Sequence, residues 1–344
     1  MSRPLVTFFA FCAIFAMYTS NSYGKIHIPS QNNGLIAFSS DATANNKQQI
    51  FIMSTDGSGV QQVCNLDLNC YNPRFSPDGR KIVFSATNVM SDFIYMINLD
   101  DTGTFSFPVF IDGGSDPEFS PDGSYLLYRS EKNDNNAVYI MDLKTDSSDI
   151  INDGSLSTHA KFSPDGRKVV YSSSASGNFD LVVLDLDDTS DNAQKTIADS
   201  PDAELYGIFS PDGKLIAYSS FDINYKGTVH ICNADGKDNI SVSKGMNSSY
   251  NPKFSPDGTR LAFISDKTGN FEIYTCDLDG SNIKRVTDKK GSTMDYDWSP
   301  DSKSIAYENI VETVSNISIV NLETGSSVDI TGDKAYNVNP SFQK

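Results

Sequence analysis

The sequence predicts an all-β, seven-bladed β-propeller of four-stranded blades, and three observations lead to that prediction. A turn motif, Phe-Ser-Pro-Asp-Gly, recurs at intervals of 43 to 47 residues. A second aromatic residue follows the first by nine residues, at the end of a short apolar run. The two ends of the chain supply complementary parts of one further unit. Units of this length that contain several short strands are typical of propeller blades.

The turn motif is complete in five copies, and a sixth copy reads Trp-Ser-Pro-Asp-Ser. The copies occupy residues 75–79, 119–123, 162–166, 209–213, 254–258 and 298–302. Proline presets φ for the second position of a type I turn, aspartate favours the third, and glycine adopts the left-handed conformation that closes the hairpin. The motif therefore predicts a turn between the first two strands of each blade, with a structural role for its aspartate.

The second aromatic predicts the second strand of each blade. It is Phe84, Tyr128, Tyr171, Tyr218, Phe263 or Tyr307, and Phe38 is a seventh example near the N-terminus. Apolar runs such as 138–141 predict a third strand, and shorter runs such as 283–286 predict a fourth.

The ring is predicted to close through the two ends of the chain. Strands around 35–39, 50–53 and 60–64 lack an innermost partner, and the C-terminal segment 338–342 would supply it. Six complete blades and this shared blade make seven. Such closure leaves no unpaired strand at an open edge of the ring.

Residues 1–24 have the features of a signal peptide, with Arg3 before an apolar run at 5–17 and small residues at the expected cleavage site. The run is shorter than a bilayer requires, although an uncleaved N-terminal anchor is the alternative. We therefore expect a mature propeller of residues 25–344 with no integral membrane segment. It would be secreted, or periplasmic if the source is a Gram-negative bacterium.

The charge of the mature chain argues against nucleic acid as a partner. Removal of residues 1–24 deletes Arg3 and no acidic residue, which leaves 26 Lys and Arg against 44 Asp and Glu, a net charge of -18. This balance also argues against an anionic membrane surface. We expect a monomer.

Four cysteines remain after cleavage. Cys64 and Cys70 flank one predicted loop, and an oxidising compartment would allow them to form a disulfide, with two free thiols as the alternative. Cys232 and Cys276 occupy equivalent positions in adjacent repeats, so we expect them to be separate, buried and inert.

The repeat resembles the WD-like repeat of TolB propellers: Pro-x-Phe-Ser-Pro-Asp-Gly, an apolar run with an aromatic, then Ile-Tyr and Asp-x-Asp-Gly. The resemblance covers residues 34–344. TolB is the periplasmic protein of the Tol–Pal envelope system, so the resemblance implies an exported protein with protein partners. TolB also carries an α/β domain before its propeller. Only about ten residues separate the expected cleavage site from the first strand here, so we expect no role that depends on that domain.

A candidate binding site lies where the inner strands begin, because seven-fold geometry would gather equivalent residues around the mouth of the central channel. Three residues before each leading aromatic stand Asn72, Asp116, His159, Tyr206, Asn251, Asp295 and Asn339, with Tyr71, Tyr250 and Tyr296 beside several of them. This set of amides, carboxylates and aromatics could bind a protein or peptide. The alternative is that Asn-Pro and Asp-Pro pairs simply begin strands.

Asp116 and Asp295 could bind a calcium ion at the mouth, since Ca²⁺ prefers carboxylate and carbonyl oxygens. The resemblance to TolB propellers is consistent with such an ion. Lys161 and Lys253, two residues beyond His159 and Asn251, could instead neutralise the carboxylates. No other cofactor is expected.

Catalysis finds little support in the sequence. There is no Gly-x-Ser-x-Gly motif, and His27, His159 and His230 have no metal-ligand spacing. We therefore predict an exported, non-enzymatic binding scaffold that contacts protein through its channel mouth. The alternative is a propeller-type carbohydrate-active lyase or hydrolase, with Asp116 and Asp295 as acid and base.

Overall fold

In the computed structural model, the described residues form 28 β-strands, most of which are short apolar runs separated by turns. The structure describes residues 34–344 except 45, 100–104, 133–135, 153–154, 191–192, 289 and 333–334. The predicted signal peptide, residues 1–24, lies outside the described residues. Across the described ranges, no helix is long and apolar enough to cross a bilayer.

The strands form seven antiparallel four-stranded sheets, which confirms the predicted all-β, seven-bladed propeller. Blade 1 combines β1 (Leu35–Ser40), β2 (Gln49–Ser54) and β3 (Gln61–Gln62) with β28 (Asn337–Phe342). Blade 2 contains β4 (Asn69–Phe75), β5 (Lys81–Thr87), β6 (Asp92–Asn98) and β7 (Val109–Gly113). Blade 3 contains β8 (Ser115–Phe119), β9 (Tyr125–Ser130), β10 (Ala137–Asp142) and β11 (Ser147–Ile150).

The other four blades repeat this order along the chain. Blade 4 contains β12 (Ser157–Phe162), β13 (Lys168–Ser173), β14 (Asp180–Asp185) and β15 (Gln194–Ala198). Blade 5 contains β16 (Ala203–Phe209), β17 (Leu215–Phe221), β18 (Gly227–Asn233) and β19 (Ile240–Ser241). Blade 6 contains β20 (Ser249–Phe254), β21 (Arg260–Ser265), β22 (Glu272–Asp277) and β23 (Lys284–Arg285). Blade 7 contains β24 (Tyr296–Trp298), β25 (Ser304–Val311), β26 (Val314–Asn321) and β27 (Ser327–Asp329).

The Ser-Pro-Asp-Gly motif makes the predicted turn between the inner and second strands. In blade 2, the Ser76 hydroxyl donates to Asp78 Oδ1 at 2.5 Å, and the Arg80 N–H donates to the same oxygen at 3.0 Å. Gly79 takes a left-handed φ of 67°. The hydrogen bonds from Ser76 and Arg80 hold the pKa of Asp78 below its ordinary value. The aspartate of the motif therefore stabilises the turn through these hydrogen bonds.

The C-terminal strand β28 closes the ring by antiparallel pairing with β1, as predicted. Ile36 lies opposite Phe342, and the Gln343 N–H donates to the Leu35 carbonyl at 2.8 Å. Phe342 packs with Ile36 and Phe38 in an apolar cluster that also includes residues of blade 7. Each blade buries its faces against its neighbours in this way, so the core runs around the ring between the sheets.

The ring has two distinct faces. We call the face on which the inner strands begin the mouth face, and the Ser-Pro-Asp-Gly turns lie on the opposite face. Each second strand runs from its turn back to the mouth face, so the loops between second and third strands lie on the mouth face as well.

Candidate functional site at the channel mouth

Six of the seven predicted mouth residues have a left-handed backbone, with φ between 52° and 60°: Asn72, Asp116, His159, Tyr206, Asn251 and Asn339. Each lies where the inner strand shifts register against its neighbour, as between Tyr71 and Arg74 in blade 2. Such a β-bulge bends the strand and redirects its side chains. Asp295 differs because it precedes β24, where regular pairing starts at Tyr296. The bulges explain why these positions recur at the start of the inner strands.

Contacts between neighbouring blades bring these residues together. The Asn72 amide donates to Asp116 Oδ1 at 3.0 Å, and the Asn251 amide lies 3.4 Å from Asp295 Oδ1. The rings of His159 and Tyr206 have centroids 4.2 Å apart. Burial raises the pKa of the Tyr206 hydroxyl, and the charges of Asp295 and Asp116 raise it further. Two aspartates from distant blades thus act on one tyrosine, as expected around a single opening.

One side of the opening is lined by five half-buried rings, which we call the aromatic arc: His159, Tyr206, Phe221, Tyr250 and Phe271. Tyr206 and Tyr250 have centroids 6.3 Å apart, and Tyr250 meets Phe271 edge-on at 5.5 Å. Phe221 lies 6.3 Å from Tyr206 and 6.4 Å from Tyr250. The arc therefore forms a continuous aromatic surface across blades 4 to 6.

The arc carries an unsatisfied polar atom, Nδ1 of His159. Burial lowers the pKa of His159 to about 4, although the nearby Asp116 charge opposes this shift. The imidazole is therefore neutral at pH 7. Nδ1 is buried and has no hydrogen-bond partner among the described residues. A buried polar atom without a partner is costly, so this nitrogen is suited to a hydrogen bond with a bound molecule.

The rest of the opening is charged. Lys253 Nζ lies 2.9 Å from Asp295 Oδ1, and Arg129 Nε lies 3.9 Å from Asp116 Oδ2. Burial alone would raise the pKa of Asp295, but the charges of Lys253 and Arg74 hold it below its ordinary value. Asp295 is therefore ionised at neutral pH.

A second carboxyl group, Glu308, lies beside Asp295 and behaves differently. Its side chain is buried, and Oε1 accepts the Asn339 N–H at 2.6 Å. Burial and the negative charge of Asp295 raise the pKa of Glu308 to about 8. At neutral pH the opening thus combines an ionised aspartate with a mostly protonated glutamate.

The three predicted tyrosines have different positions. Tyr250 belongs to the aromatic arc, whereas Tyr71 is half-buried and its hydroxyl lies 3.5 Å from Asp92 Oδ1. Tyr296 is completely buried, and its hydroxyl donates to the Asn251 carbonyl at 2.8 Å. Its placement among the residues that line the mouth is thus corrected: it supports the backbone of Asn251 from inside the protein, because its ring packs in the apolar core between blades.

A family model for the TolB beta propeller domain matches residues 30–192 and 178–344. Together these matches span residues 30–344 and so include all of the described residues. The chain belongs to the TolB β-propeller domain family.

Within this family, one curated relative is a protein TolB homolog from Chlorobaculum tepidum, 37% identical over 73 residues, which is 21% of this chain and 17% of the relative. The match therefore spans less than a fifth of that relative's length. Two of the solved structures that share the fold illustrate the likeness. TolB from Acinetobacter baumannii has a TM-score of 0.58 at 20% identity, covering 90% of this chain and 66% of that one. An oligogalacturonate lyase in complex with manganese has a TM-score of 0.62 at 16% identity, covering 86% and 85%.

Calcium binding at the mouth of this TolB-family propeller stays a prediction. Asp116 and Asp295 each have a basic neighbour, while Lys161 pairs with Glu118 instead. In the part of the chain that the structure describes, no three His, Cys, Asp or Glu side chains are grouped so that they could hold a metal ion.

The predicted disulfide also stays a prediction, although the structure brings its cysteines together. The sulfur atoms of Cys64 and Cys70 are 3.4 Å apart, and both residues are buried. Cys232 and Cys276 are buried free thiols that belong to different apolar clusters.

Several mouth residues that were not predicted can be recognised in the sequence as departures from the repeat pattern. Arg129 and Glu308 directly follow a second-strand aromatic, a position that is serine in four other repeats. The serine at this position in blade 2, Ser85, accepts the Asp116 N–H at 3.0 Å, just as Glu308 accepts that of Asn339. Phe221 and Phe271 are aromatic at positions that are polar in most repeats. Departures from the repeat therefore identify the residues specific to this mouth.

Proposed function

We propose that this TolB-family propeller is an exported, non-enzymatic binding module whose mouth face holds a peptide or loop of a protein partner. The aromatic arc is the observation that carries the proposal. Its five rings are half-buried at the opening and offer a broad, rigid contact surface. Aromatic side chains dominate protein interfaces because they bury much apolar area with few rotatable bonds.

Exposed apolar side chains on the same face support this proposal. Val89 and Met90 lie in the loop between β5 and β6, and Ile223 and Tyr225 lie in the loop between β17 and β18. All four are almost completely exposed to solvent. Apolar side chains grouped on one face of a soluble protein are characteristic of interaction surfaces. A partner that enters the mouth would also contact these two loops.

The polar part of the opening would set the orientation of the partner. The ionised Asp295 and the pair formed by Asp116 and Arg129 lie outside the aromatic arc. Charge complementarity of this kind contributes more to orientation and specificity than to affinity. His159 would add a hydrogen bond through Nδ1.

Peptide selection from a display library on the full chain tests the proposal. Peptides selected on the wild type should lose at least tenfold in affinity for Tyr250→Ala and Phe271→Ala, because each substitution removes a ring from the arc (about 1.4 kcal/mol per tenfold). Tyr125→Ala is the matched control, since Tyr125 begins β9 beside the turn on the opposite face. Selected peptides that bind all three variants as tightly as the wild type would contradict a binding site at the mouth.

A carbohydrate-active lyase or hydrolase is the alternative, and Glu308 favours it. Two neighbouring carboxyl groups with well-separated pKa values suit acid–base catalysis. A turnover screen on polysaccharides, with and without divalent metal, distinguishes the two functions. Cleavage that is lost in Glu308→Gln or His159→Ala would contradict the binding proposal. Absence of turnover together with mouth-dependent peptide binding would support it.

A further inference from the structure

Two buried carboxyl groups lie between blades 4 and 5, where strands of these blades begin on the mouth face. Asp180 is the first residue of β14, and Glu204 is the second residue of β16. The Glu204 N–H donates to the carbonyl of Phe179, the residue next to Asp180, at 2.7 Å. Glu204 is 1% exposed and Asp180 is 8% exposed. The seam between these blades thus buries two acidic side chains whose backbones are in direct contact.

The hydrogen bonds of this pair are incomplete. The Ser200 hydroxyl donates to Oε1 of Glu204, and the Ser176 hydroxyl donates to Oδ2 of Asp180. Oε2 of Glu204 is buried and has no hydrogen-bond partner among the described residues. A carboxylate oxygen in that situation carries the full penalty of lost hydration. Something besides the described side chains is needed to satisfy it.

The charge of the pair is also unbalanced. In the described part of the chain, neither Asp180 nor Glu204 forms an ion pair with a basic side chain. Burial, together with the negative charges of Asp180 and Asp202, raises the pKa of Glu204 to about 7 against the opposing Ser200 hydrogen bond. His230 lies near Asp202, but its Nε2 is 3.0 Å from the Ser220 hydroxyl and its ring stacks on Tyr218.

The equivalent position in blade 6 shows what is missing. Glu272 begins β22 as Asp180 begins β14, and it accepts a hydrogen bond from Thr268, four residues earlier, as Asp180 does from Ser176. Arg285 Nε lies 3.7 Å from Oε2 of Glu272. The buried carboxylate of blade 6 therefore has a cationic partner, whereas the pair between blades 4 and 5 has none among the described residues.

We propose that Asp180 and Glu204 bind a hard divalent cation such as Ca²⁺ in the seam between blades 4 and 5. Their carboxylates and the hydroxyls of Ser176 and Ser200 supply the oxygen donors that Ca²⁺ prefers, with solvent completing the shell. The serine hydroxyls keep free lone pairs while they donate to the carboxylates. The cation balances both charges and satisfies Oε2 of Glu204. This site uses none of the predicted mouth residues, although Glu204 lies two residues before Tyr206, and it does not rest on the proposed function.

Thermal unfolding of the full chain with CaCl₂ or with EDTA tests the proposal. At roughly pH 8, about one unit above the Glu204 pKa, Ca²⁺ should raise the Tm of the wild type by a few degrees, since a ligand that binds only the folded state stabilises it. Glu204→Gln should abolish this rise, because the neutral amide removes one charge and keeps the shape. Without Ca²⁺, Glu204→Gln should be at least as stable as the wild type at this pH.

Three variants make the outcome decisive. Glu272→Gln is the matched control and should keep the full response to Ca²⁺, as should the mouth variant with Asp116→Asn and Asp295→Asn. Asp180→Asn replaces Glu204→Gln if the latter does not fold. The proposal is overturned if neither Ca²⁺ nor Mg²⁺ changes the Tm of the wild type. It is also overturned if Glu204→Gln and Asp180→Asn respond as the wild type does.

Discussion

Substitution of Phe342 by alanine tests whether the C-terminal strand is an integral part of the ring. Phe342 is 4% exposed and packs against Ile36 and Phe38. The variant keeps the backbone hydrogen bonds of β28, including that from the Phe342 N–H to Asp297 Oδ2 at 2.9 Å. The loss of stability therefore comes from removal of the phenyl ring of Phe342 alone. Removal of a buried phenylalanine costs its transfer free energy and leaves a cavity, about 3–5 kcal/mol in total.

Phe209 is the internal reference, because it is 5% exposed and occupies the same repeat position at the end of β16. Urea unfolding followed by the fluorescence of Trp298, the single tryptophan, reports on the neighbouring blade 7. Phe342→Ala and Phe209→Ala should destabilise the protein by similar amounts, and the exposed Val328→Ala by less than about 0.5 kcal/mol. Deletion of residues 336–344 should abolish cooperative unfolding. A nearly silent Phe342→Ala, or a deletion variant that melts like the full chain, would refute closure by β28.

Three further predictions concern the cysteine pair, calcium binding at the mouth and the titration of Glu308. Oxidised glutathione should link Cys64 to Cys70, whose sulfurs are 3.4 Å apart, with loss of both titratable thiols; a chain that keeps all its thiols contradicts this. Calorimetry with Ca²⁺ should show a heat that is reduced by Asp116→Asn and Asp295→Asn if the mouth binds calcium, and an unchanged heat excludes that site. The raised pKa of Glu308 means that the folded protein favours the protonated carboxyl group. The contribution of Glu308 to stability is therefore complete below pH 4.5, the ordinary value of its pKa, and is lost as the pH rises through about 8. Glu308→Gln should flatten the fall in stability across this interval, and equal pH profiles for variant and wild type would contradict the burial argument.

The fold was predictable because each blade repeats the same local chemistry. A Ser-Pro-Asp-Gly turn specifies its hairpin without help from distant residues, and the nine-residue spacing places one aromatic at the end of the inner strand and the next in the buried second strand. The closure was predictable because 338–342 matches the inner-strand pattern and the N-terminal blade lacks that strand. Each strand and turn is specified by a short local pattern, and the closure follows from matching such patterns at the two ends of the chain.

The position of the mouth was predictable from the sequence, but only some of the residues that line it were. Phe221 and Phe271 reach the opening from the ends of second and third strands, so a search restricted to inner-strand positions does not find them. Tyr71 and Tyr250 lie four residues before their leading aromatics, whereas Tyr296 lies two residues before Trp298. That position is buried in other blades as well, as at Pro73 and Pro252. Register shifts and contacts between blades are tertiary features, which the repeat spacing does not encode.

The left-handed backbone at the mouth separates residues that backbone geometry explains from residues that it does not. Asparagine and aspartate adopt this conformation more readily than other side chains, so Asn72, Asp116, Asn251 and Asn339 are explained by backbone geometry. His159 is explained in the same way, because histidine is also enriched in this conformation. Tyr206 is not. Tyr206→Asn and Tyr206→Ala both remove the aromatic ring. The asparagine variant should be more stable than the alanine variant by about 1 kcal/mol, because asparagine adopts the left-handed conformation more readily. Both variants should lose peptide binding equally, since the aromatic contact is gone from each. If Tyr206→Asn binds selected peptides as the wild type does, the residue at this position serves the bulge alone, and the aromatic arc is not the binding surface.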